Sequence, residues 1–307
     1  MTFHVVLGAG PVARSIVAAL RSRGIDAVVA SRSGTELPGA RAVKVDVLNT
    51  DNLRKLVSGA SAVYQASQPE YHRWPQEFPA MQDSVVSALR GSDTVLVAVE
   101  NLYGYGAVNG PLVESLPLTA TTRKGKVRAE LWRTLEAEHT AGRLKVTAGR
   151  ASDFFGPHAE ASAVGDRFFL PLLNGKKSDI LGNPDALHTY TFVGDFGEAL
   201  VRLALDERSL GRPWHVPNAP TISTRAFLAT AAGIARVEPR FAARSKSQLR
   251  FVGMFITPVR ETIEMMYEFE DDFVVDHSAY TSVFGDHATP LHQSLAITID
   301  WWKQHNN

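Results

Sequence analysis

Short apolar runs alternate with helical patterns through the first half of this 307-residue chain. The apolar runs have no polar face, which is typical of strands that are buried on both sides of a sheet. Residues 12–20 place Val12, Ile16 and Leu20 on one side, as in an amphipathic helix. The alternation predicts an α/β fold with a parallel, doubly wound sheet. The predicted strands span residues 3–7, 27–30, 42–47, 62–64, 94–99 and 144–148, and the predicted helices span residues 12–20, 51–56, 81–89 and 127–138.

A glycine-rich loop follows the first predicted strand, with the pattern G-x-G-x-x-A in Gly8-Ala9-Gly10-Pro11-Val12-Ala13. Gly8 permits a tight turn, Gly10 lets the backbone approach a pyrophosphate, and Ala13 lets the helix pack closely on the strand. The start of the helix supplies free N–H groups and a partial positive charge for an anion. The loop therefore predicts dinucleotide binding, and the alternative is an ordinary glycine-rich turn.

The end of the second predicted strand indicates which dinucleotide is bound. NAD-binding proteins usually place an acidic residue there to hold the ribose 2′-hydroxyl, whereas this chain has Ser31 and Arg32. A guanidinium group binds phosphate bidentately, so Arg32 suits a 2′-phosphate, and Arg14 could assist it. The sequence favours NADP(H) over NAD(H), and the alternative is that Arg32 is a solvated loop residue.

The second half of the chain is less regular, and its domain boundaries are diffuse. We predict a dinucleotide-binding domain over residues 1–158, rejoined by about 188–218, with an interwoven substrate lobe over 159–187 and 219–307. The sequence here predicts a strand end and helix over 192–205, a short strand over 213–216, and helices over 223–235, 249–267 with a break at Pro258, and 291–302.

Composition excludes several classes of function. The 32 basic and 32 acidic residues cancel, which argues against a nucleic-acid partner. The absence of cysteine excludes disulfides and thiolate metal sites, and the scattered histidines predict no metal. No targeting signal is visible and no run reaches the roughly 18 apolar residues of a membrane span, so we expect a cytoplasmic protein. The chain also has an acidic cluster, which we expect to form a solvated helix face and its end. Its members are Glu261, Glu264, Glu268, Glu270, Asp271 and Asp272.

Further motifs follow the glycine loop in a fixed order along the chain. They are Val45-Asp46-Val47, Tyr64-Gln65-Ala66-Ser67, Leu102-Tyr103-Gly104, the run 150–157, the run 188–195 and Trp214-His215-Val216-Pro217-Asn218. Over most of its length the chain resembles the extended and atypical short-chain dehydrogenase/reductases, also called the NAD-dependent epimerase/dehydratase family. The resemblance implies a Rossmann-type fold and a nicotinamide cofactor. It adds Asp46, Val47, Ala66, Ser67 and Asp153 to the candidate cofactor-binding residues.

The chemistry of this family normally depends on a Ser and a Tyr-x-x-x-Lys motif, from which this sequence departs. Lys126 stands at the Lys position, where the family uses it to bind the nicotinamide ribose, but Thr122 stands at the Tyr position. A threonine hydroxyl is far less acidic than a phenol and cannot take over its proton transfer. Tyr103 is the best substitute for the acid/base, and Tyr105, Glu100 and Asp153 are the other candidates.

The substrate site is predicted from the aromatic loop after the fourth strand and from the second half of the chain. Tyr71 and Trp74 are expected to line it, or else to pack locally, and Phe155 adds apolar surface. His188 stands where sugar-nucleotide enzymes of the family tend to keep an arginine for the substrate phosphate, which favours a small or medium apolar carbonyl or alcohol as the substrate. A satisfied structural histidine is the other interpretation of His188.

The function predicted from the sequence is that of an NADP(H)-dependent oxidoreductase acting on a small carbonyl or hydroxyl substrate. Two alternatives stay open: a catalytically silent NADP(H)-binding regulatory protein, and an NAD(P)-dependent epimerase or dehydratase. We expect a small-molecule substrate and no nucleic-acid or membrane partner. A homodimer through the helices at 81–89 and 127–138 is common in the family, although both helices can equally cover the sheet.

Overall fold

The computed structural model describes residues 3–254 and 256–305. In chain order, the strands are β1 (Phe3–Leu7), β2 (Asp26–Ser31), β3 (Arg41–Lys44), β4 (Ala62–Gln65), β5 (Val95–Asn101), β6 (Lys145–Ala151), β7 (Phe154–Phe155), β8 (Ser178–Leu181), β9 (Leu187–His188), β10 (Thr191–Phe192), β11 (Pro213–His215), β12 (Ile222–Ser223) and β13 (Phe241–Arg244). The α-helices are α1 (Pro11–Ser22), α2 (Thr50–Val57), α3 (Trp74–Leu89), α4 (Arg123–Thr140), α5 (Asp166–Leu173), α6 (Val193–Leu205), α7 (Thr224–Ala235), α8 (Lys246–Gly253), α9 (Thr257–Thr262), α10 (Tyr267–Glu270), α11 (Ser278–Phe284) and α12 (Leu291–His305).

Seven strands form the central sheet in the order β11-β6-β5-β4-β1-β2-β3, and every pairing in it is parallel. The order reverses between β1 and β4, which makes their carboxyl ends the topological switch point. The predicted α/β fold with a doubly wound parallel sheet is confirmed. No helix among the described residues is long and apolar enough to cross a membrane.

Helices cover both faces of this sheet, so the strands need no polar face. On one face α1 packs against α6 closely enough that a side chain at Gly197 would collide with Ser15. On the other face α2, α3 and α4 bury Leu53, Val85 and Leu135. The core of the domain therefore consists of two layers with the sheet between them.

A C-terminal lobe has its own core, built by α5, α7 and α12 around Phe169, Phe227 and Ile299. Its small strands include β8 and β13, which pair in parallel. Helix α11 packs on the sheet domain and not on the lobe: its Tyr280 is buried in the core of the main sheet beside Trp214. The chain thus returns from the lobe to the sheet domain and then completes the lobe with α12.

Most predicted elements are present, with longer helices than the apolar pattern alone indicates. Helix α3 begins at Trp74 and α4 at Arg123, seven and four residues before the predicted starts. The predicted helix over 249–267 is divided into α8, α9 and α10, with Phe255 outside the described residues. Helix α7 continues past Gly233 to Ala235 and ends at Arg236, which adopts the left-handed conformation at φ 60°.

Candidate active site

The glycine loop lies at the switch point between β1 and β4. Gly8 has φ 111°, and a Cβ on it would lie 2.9 Å from the carbonyl oxygen of Ala66. Its amide N–H donates to the Ala30 carbonyl at 2.8 Å, which joins the loop to β2 as well. Only glycine tolerates both this conformation and this contact. The residue therefore lets the carboxyl ends of three strands converge on one point.

Helix α1 starts directly above this point with its backbone donors available. Gly10 is the residue before the helix, and no side chain of the described ranges caps it. A Cβ on Gly10 would meet no described atom within 4 Å, whereas Val12 and Ala13 are buried against the core. The first turn therefore offers free N–H groups and the positive end of the helix dipole to an anion in open space.

A hydroxyl-rich turn follows β2, where the sequence predicts that a 2′-phosphate binds. The Ser31 hydroxyl accepts from the Thr35 amide at 3.0 Å, and Ser33 and Thr35 hydroxyls lie 2.6 Å apart. Arg32 is exposed beside this turn. The Asp46 carboxylate, which follows β3, accepts from the Leu48 amide at 3.1 Å. The end of β2 thus carries an exposed arginine between hydroxyl-bearing residues.

The segments that follow β3 and β4 carry the other residues that the sequence predicts to contact the cofactor. Val47 is buried, and Ala66 and Ser67 are half-buried next to Gly8. The Ser67 hydroxyl points to the Met81 sulfur at 3.8 Å. Gln65 belongs to the same sequence motif but was not among the predicted cofactor contacts, and its buried Oε1 has no hydrogen-bond partner among the described residues. These groups line the carboxyl edge on both sides of the switch point.

Two phenols meet where the loops after β4 and β5 come together. The Tyr71 hydroxyl donates to the Tyr103 hydroxyl at 3.4 Å. Burial raises the pKa of Tyr71, and that of Tyr103 lies well above its usual range for the same reason. Both hydroxyls therefore hold their protons at neutral pH.

Trp74 packs behind this phenol pair. Only 2% of the side chain is exposed, and its ring contacts Tyr71 edge-on with centroids 5.0 Å apart. Its indole N–H donates to the Pro69 carbonyl at 3.2 Å. Trp74 therefore packs within its own loop, which was the alternative to its lining the substrate site.

Glycines bring the start of α4 against the turn that carries Tyr103. A Cβ on Gly125 would lie 2.6 Å from the Tyr103 carbonyl oxygen and 2.7 Å from the Thr122 hydroxyl. Thr122 itself caps α4, because its hydroxyl accepts from the Gly125 amide at 3.1 Å. Thr122, which the sequence predicts at the family's tyrosine position, thus has a structural role at the start of α4.

Two lysines on α4 point in different directions. Lys126, the predicted ribose ligand, is exposed, and its role stays a prediction. Lys124 is 1% exposed, and its Nζ lies 4.3 Å from the centre of the Tyr71 ring. It donates to Glu261 at 2.6 Å and to Glu264 at 2.8 Å. The structure thus places Lys124, which was not predicted, next to the phenol pair.

Arg128, one turn further along α4, was also not predicted. Its guanidinium group lies 4.6 Å from the centre of the Trp74 ring and 4.7 Å from that of Phe78, and it donates to the Val99 carbonyl at 3.4 Å. Burial lowers its pKa. Arg128 therefore packs between α4 and the aromatic residues at the start of α3.

Asp153, after β6, is paired with His188. The His188 Nε2 lies 3.0 Å from the Asp153 carboxylate, and Nδ1 lies 3.0 Å from the Glu268 backbone carbonyl. The ring stacks on Phe269 with centroids 5.0 Å apart, and it is buried. Both ring nitrogens thus have partners, as in the structural interpretation of His188. Phe155, predicted to line the substrate site, is 1% exposed and belongs to the core of the lobe.

The expectation that the acidic cluster is a solvated helix face is wrong for three of its members. Glu261 and Glu268 are buried, and Glu264 is paired with Lys124. Helix α9 also packs on the turn that carries Tyr71, so the segment over 256–270, here called the covering segment, lies against the candidate site. The prediction failed because the residues that contact these acids lie on α4 and β9, far away in sequence.

Glu268 is the most deeply buried acidic residue of the covering segment. Its side chain is 1% exposed, and its Oε1 has no hydrogen-bond partner of good geometry among the described residues. The adjacent Tyr267 hydroxyl also lacks a hydrogen bond of good geometry among the described residues, but its interaction with the Glu268 carboxyl lowers the pKa of that carboxyl. Burial, and then the negative charge of Asp153, hold the pKa of Glu268 well above its usual range.

The remaining catalytic candidates, Glu100 and Tyr105, belong to a buried network that ties the strands together. Arg150 donates to Glu100 at 3.1 Å and to the Tyr105 hydroxyl at 2.6 Å, and that hydroxyl lies 2.8 Å from His215 Nε2. Burial lowers the pKa of His215 to about 4, so the neutral ring accepts from Tyr105. Because Glu100 and Tyr105 are hydrogen-bonded within this network, Tyr103 and Asp153 remain as candidates for the acid/base.

Comparison with known proteins identifies what this arrangement resembles. Residues 4–216 match the NAD dependent epimerase/dehydratase family. A comparison with curated protein sequences gives no match.

Several solved structures share the fold over the whole chain. UDP-glucuronic acid 4-epimerase from Bacillus cereus in complex with NAD is 15% identical with a TM-score of 0.80, and 100% of each chain is covered. The Bordetella bronchiseptica enzyme WbmH in complex with NAD+ is 17% identical with a TM-score of 0.77 and the same coverage. dTDP-glucose 4,6-dehydratase from Bacillus anthracis in complex with NAD is 13% identical with a TM-score of 0.80, covering 99% of this chain and 97% of that one.

Proposed function

Because the chain belongs to the NAD-dependent epimerase/dehydratase family, we propose that it binds a nicotinamide dinucleotide and uses it on a small substrate with a carbonyl or hydroxyl group. The observation that carries this proposal is the glycine loop at the switch point. Gly8 approaches Ala66 as only glycine can, and the uncapped start of α1 faces open space at Gly10. This is where α/β sheets bind the pyrophosphate of dinucleotides.

The residues around the switch point fit the remaining parts of the cofactor. Val12 and Ala13 would give their amides to the pyrophosphate, and Asp46 with Val47 would border the adenine. Ala66, Ser67 and Asp153 would lie along the nicotinamide half, and Lys126 would hold its ribose. When bound, the cofactor supplies hydride chemistry, and the protein supplies position and proton transfer.

NADP(H) is the proposed form of the cofactor. Arg32 is an exposed cation beside the hydroxyls of Ser31 and Ser33 at the end of β2, where an NAD-binding protein would have an acid. Guanidinium and hydroxyl groups together suit the doubly charged 2′-phosphate.

Tyr103 is the proposed proton donor. The Thr122 hydroxyl caps α4, and it is too weak an acid to donate a proton to the substrate. The Tyr103 phenol stays protonated and can give its proton to a substrate oxygen as negative charge develops there. This favours the direction in which a carbonyl is reduced.

A second candidate function, that of an epimerase or dehydratase, is favoured by the printed names of the structural relatives. Sugar-nucleotide 4-epimerase and 4,6-dehydratase structures hold NAD on the same fold. Such enzymes would keep the cofactor and regenerate it within one turnover. A third candidate, a silent regulatory protein, draws support from Thr122 as a cap and from the exposed Lys126.

One set of measurements separates the three. Calorimetry with NADPH and NADH tests binding, and steady-state NADPH consumption with a panel of small aldehydes and ketones tests turnover. We expect binding and turnover with at least one carbonyl. Tight binding with no turnover would favour the regulatory function, and cofactor that stays bound through purification would favour the epimerase. No binding of either dinucleotide would overturn the proposal.

A further inference from the structure

Lys44, the last residue of β3, lies beside the turn that carries Arg32. In the parallel pairing of β2 with β3, Lys44 is the partner of Ser31, and the Val45 amide donates to the Ser31 carbonyl at 3.0 Å. Residues paired across neighbouring strands project from the same face of a sheet. The side chains of Lys44 and Ser31 therefore lie side by side at the carboxyl ends of their strands.

Gly34 brings the turn after β2 into contact with Lys44. Its φ is 72°, and a Cβ on Gly34 would be 3.3 Å from the Cβ of Lys44. The Ser33 hydroxyl lies 3.3 Å from the Ser31 hydroxyl and 2.6 Å from the Thr35 hydroxyl. A turn with three linked hydroxyl groups thus lies against the base of the Lys44 side chain.

Lys44 and Arg32 are cations without a counter-ion in the described part of the chain. Both side chains are exposed, and neither makes an ion pair or a side-chain hydrogen bond with another described residue. Lys44 also lines an open cavity of about 530 Å³ together with Arg41 and Lys55, and no acidic residue of the described ranges lines it. A surface lined by one sign of charge attracts the opposite ion, so this edge of the sheet favours an anion.

An exposed lysine on an edge strand also has a structural interpretation. β3 is the last strand of the sheet, and lysines on such strands prevent pairing with another chain. The contact with Gly34, however, directs the base of the Lys44 side chain to the turn after β2. Asp46, the nearest acid in the sequence, accepts from the Leu48 amide at 3.1 Å and does not pair with Lys44.

We propose that Lys44 is a specificity residue for the cofactor, whose ammonium group binds the 2′-phosphate of NADP(H) together with Arg32. A phosphate monoester carries a charge of about −1.5 to −2 at pH 7, so one guanidinium group leaves part of it unneutralised. Arg32 offers a planar pair of donors, and Lys44 adds a compact point charge on the other side of the turn. This inference rests on the proposed function for the presence of a dinucleotide.

A matched pair of nucleotides isolates the 2′-phosphate. Adenosine 2′,5′-bisphosphate and adenosine 5′-monophosphate differ only in that group, and their binding involves no reaction. In titration calorimetry, Lys44→Met should weaken the bisphosphate about tenfold or more and the monophosphate less than about twofold, since only the bisphosphate loses a bond between charged groups. Equal effects on the two nucleotides, or none on either, would overturn the assignment.

Two further variants separate the charge of Lys44 from its packing. Lys44→Met keeps the apolar stem against the turn, and Lys44→Arg restores a cation, so Lys44→Arg should recover most of the affinity for the bisphosphate. Lys55→Met is the matched control, because Lys55 is an exposed lysine that lines the same cavity from α2. It should bind both nucleotides as the wild type does. An equal loss in Lys55→Met would show that the general charge of this edge attracts the phosphate, and would overturn the role of Lys44.

The same titrations keep the inference separate from the proposed function. If the wild type prefers the bisphosphate and Lys44→Met retains that preference, NADP(H) stands as the cofactor and the role of Lys44 is wrong. If the wild type binds the two nucleotides equally, both are wrong. If Lys44→Met loses the preference while no carbonyl compound is turned over, Lys44 binds the phosphate and the proposed reaction fails.

Discussion

The Nζ of Lys124 lies 2.6 Å from the Oε2 of Glu261, and the two residues are 137 positions apart in the sequence. This ion pair connects α4, which packs on the sheet, to the covering segment beside the candidate site. Glu264 contributes a second carboxylate at 2.8 Å. Removing one partner of a buried pair leaves the other charge desolvated and unpaired, and this is more costly than the pair is stabilising.

We therefore expect Lys124→Met to lower the free energy of unfolding by about 3 kcal/mol, the lower end of the range for broken buried pairs, since Glu264 is partly exposed. Urea unfolding measures the loss, and limited proteolysis should show earlier cleavage in the covering segment. Lys126→Met is the matched control, because Lys126 is exposed on the same helix and should change stability by less than about 0.5 kcal/mol. Equal losses in the two variants would contradict a special role for the pair.

The phenol pair leads to a prediction on catalysis. Tyr103→Phe should reduce kcat for carbonyl reduction by about a hundredfold or more, the usual worth of a positioned general acid. Affinity for NADPH should stay unchanged, because the phenol faces Tyr71. Stopped-flow and calorimetric measurements together separate the two effects.

Tyr105→Phe provides the comparison two residues away. Its hydroxyl accepts from Arg150 in the buried network, so its loss should cost about 1–3 kcal/mol of stability and leave kcat of the folded protein unchanged. Unchanged turnover in Tyr103→Phe would clear that residue of any proton role.

The sheet domain could be predicted from the sequence because its signals are local. A buried strand, a glycine turn and an amphipathic helix are each written in about ten neighbouring residues, and their alternation implies a parallel sheet. Gly8 was predicted to make a tight turn, and the structure gives it φ 111°. Arg32 was likewise placed correctly at the end of β2, since its position follows from the strand alone.

The covering segment could not be predicted because its partners are distant. Glu261 and Glu268 look like solvated acids until α4 and β9 are placed beside them. One local signal existed on α4: Lys124, Arg128 and Leu131 recur at helical spacing, so two cations share the buried face with a leucine. Cations on an apolar face imply buried partners, although the sequence does not say which acids they are.

Arg32 yields a prediction on cofactor choice. Arg32→Ala should weaken NADPH binding by on the order of tenfold or more, since a hydrogen bond to a charged group contributes about 1.5–3 kcal/mol, and should leave NADH binding nearly unchanged. Titration calorimetry with both cofactors checks this. Arg41→Ala, which removes an exposed arginine at the start of β3, should affect neither. Parallel losses for NADPH and NADH in Arg32→Ala would remove the basis for preferring NADP(H).

The raised pKa of Glu268 predicts a pH-dependent cost of folding. The unfolded chain releases this proton above about pH 4.3, whereas the folded protein retains it, so each further pH unit costs about 1.4 kcal/mol until the folded group also ionises. Besides Asp153, the titratable groups that act on this carboxyl are Tyr71, Tyr103 and Tyr267, and their phenols stay neutral in this range. Glu268→Gln removes the ionisable proton and keeps the shape.

Glu268→Gln should thus gain thermal stability over the wild type as the pH rises from 5 to 8, with little difference near pH 4. Differential scanning calorimetry at several pH values gives the comparison. Glu270→Gln should show no growing difference, because the Glu270 side chain is 38% exposed. A constant gap between Glu268→Gln and the wild type would show that the carboxyl ionises normally in the folded state.

Substituting the two glycines of the loop should have different effects on stability and on dinucleotide binding. Gly8→Ala forces a side chain into φ 111° and against the Ala66 carbonyl, so it should destabilise the fold and abolish dinucleotide binding together.

Gly10 has φ −75°, which any residue adopts, and a Cβ there meets no described atom within 4 Å. Gly10→Ala should therefore cost less than about 1 kcal/mol of stability. It should nevertheless weaken NADPH binding strongly, because the added methyl group fills the space through which the pyrophosphate reaches the start of α1. Unfolding and calorimetry on both variants decide the matter: a Gly10→Ala protein that is stable and binds NADPH normally would show that the anion is not held at this turn.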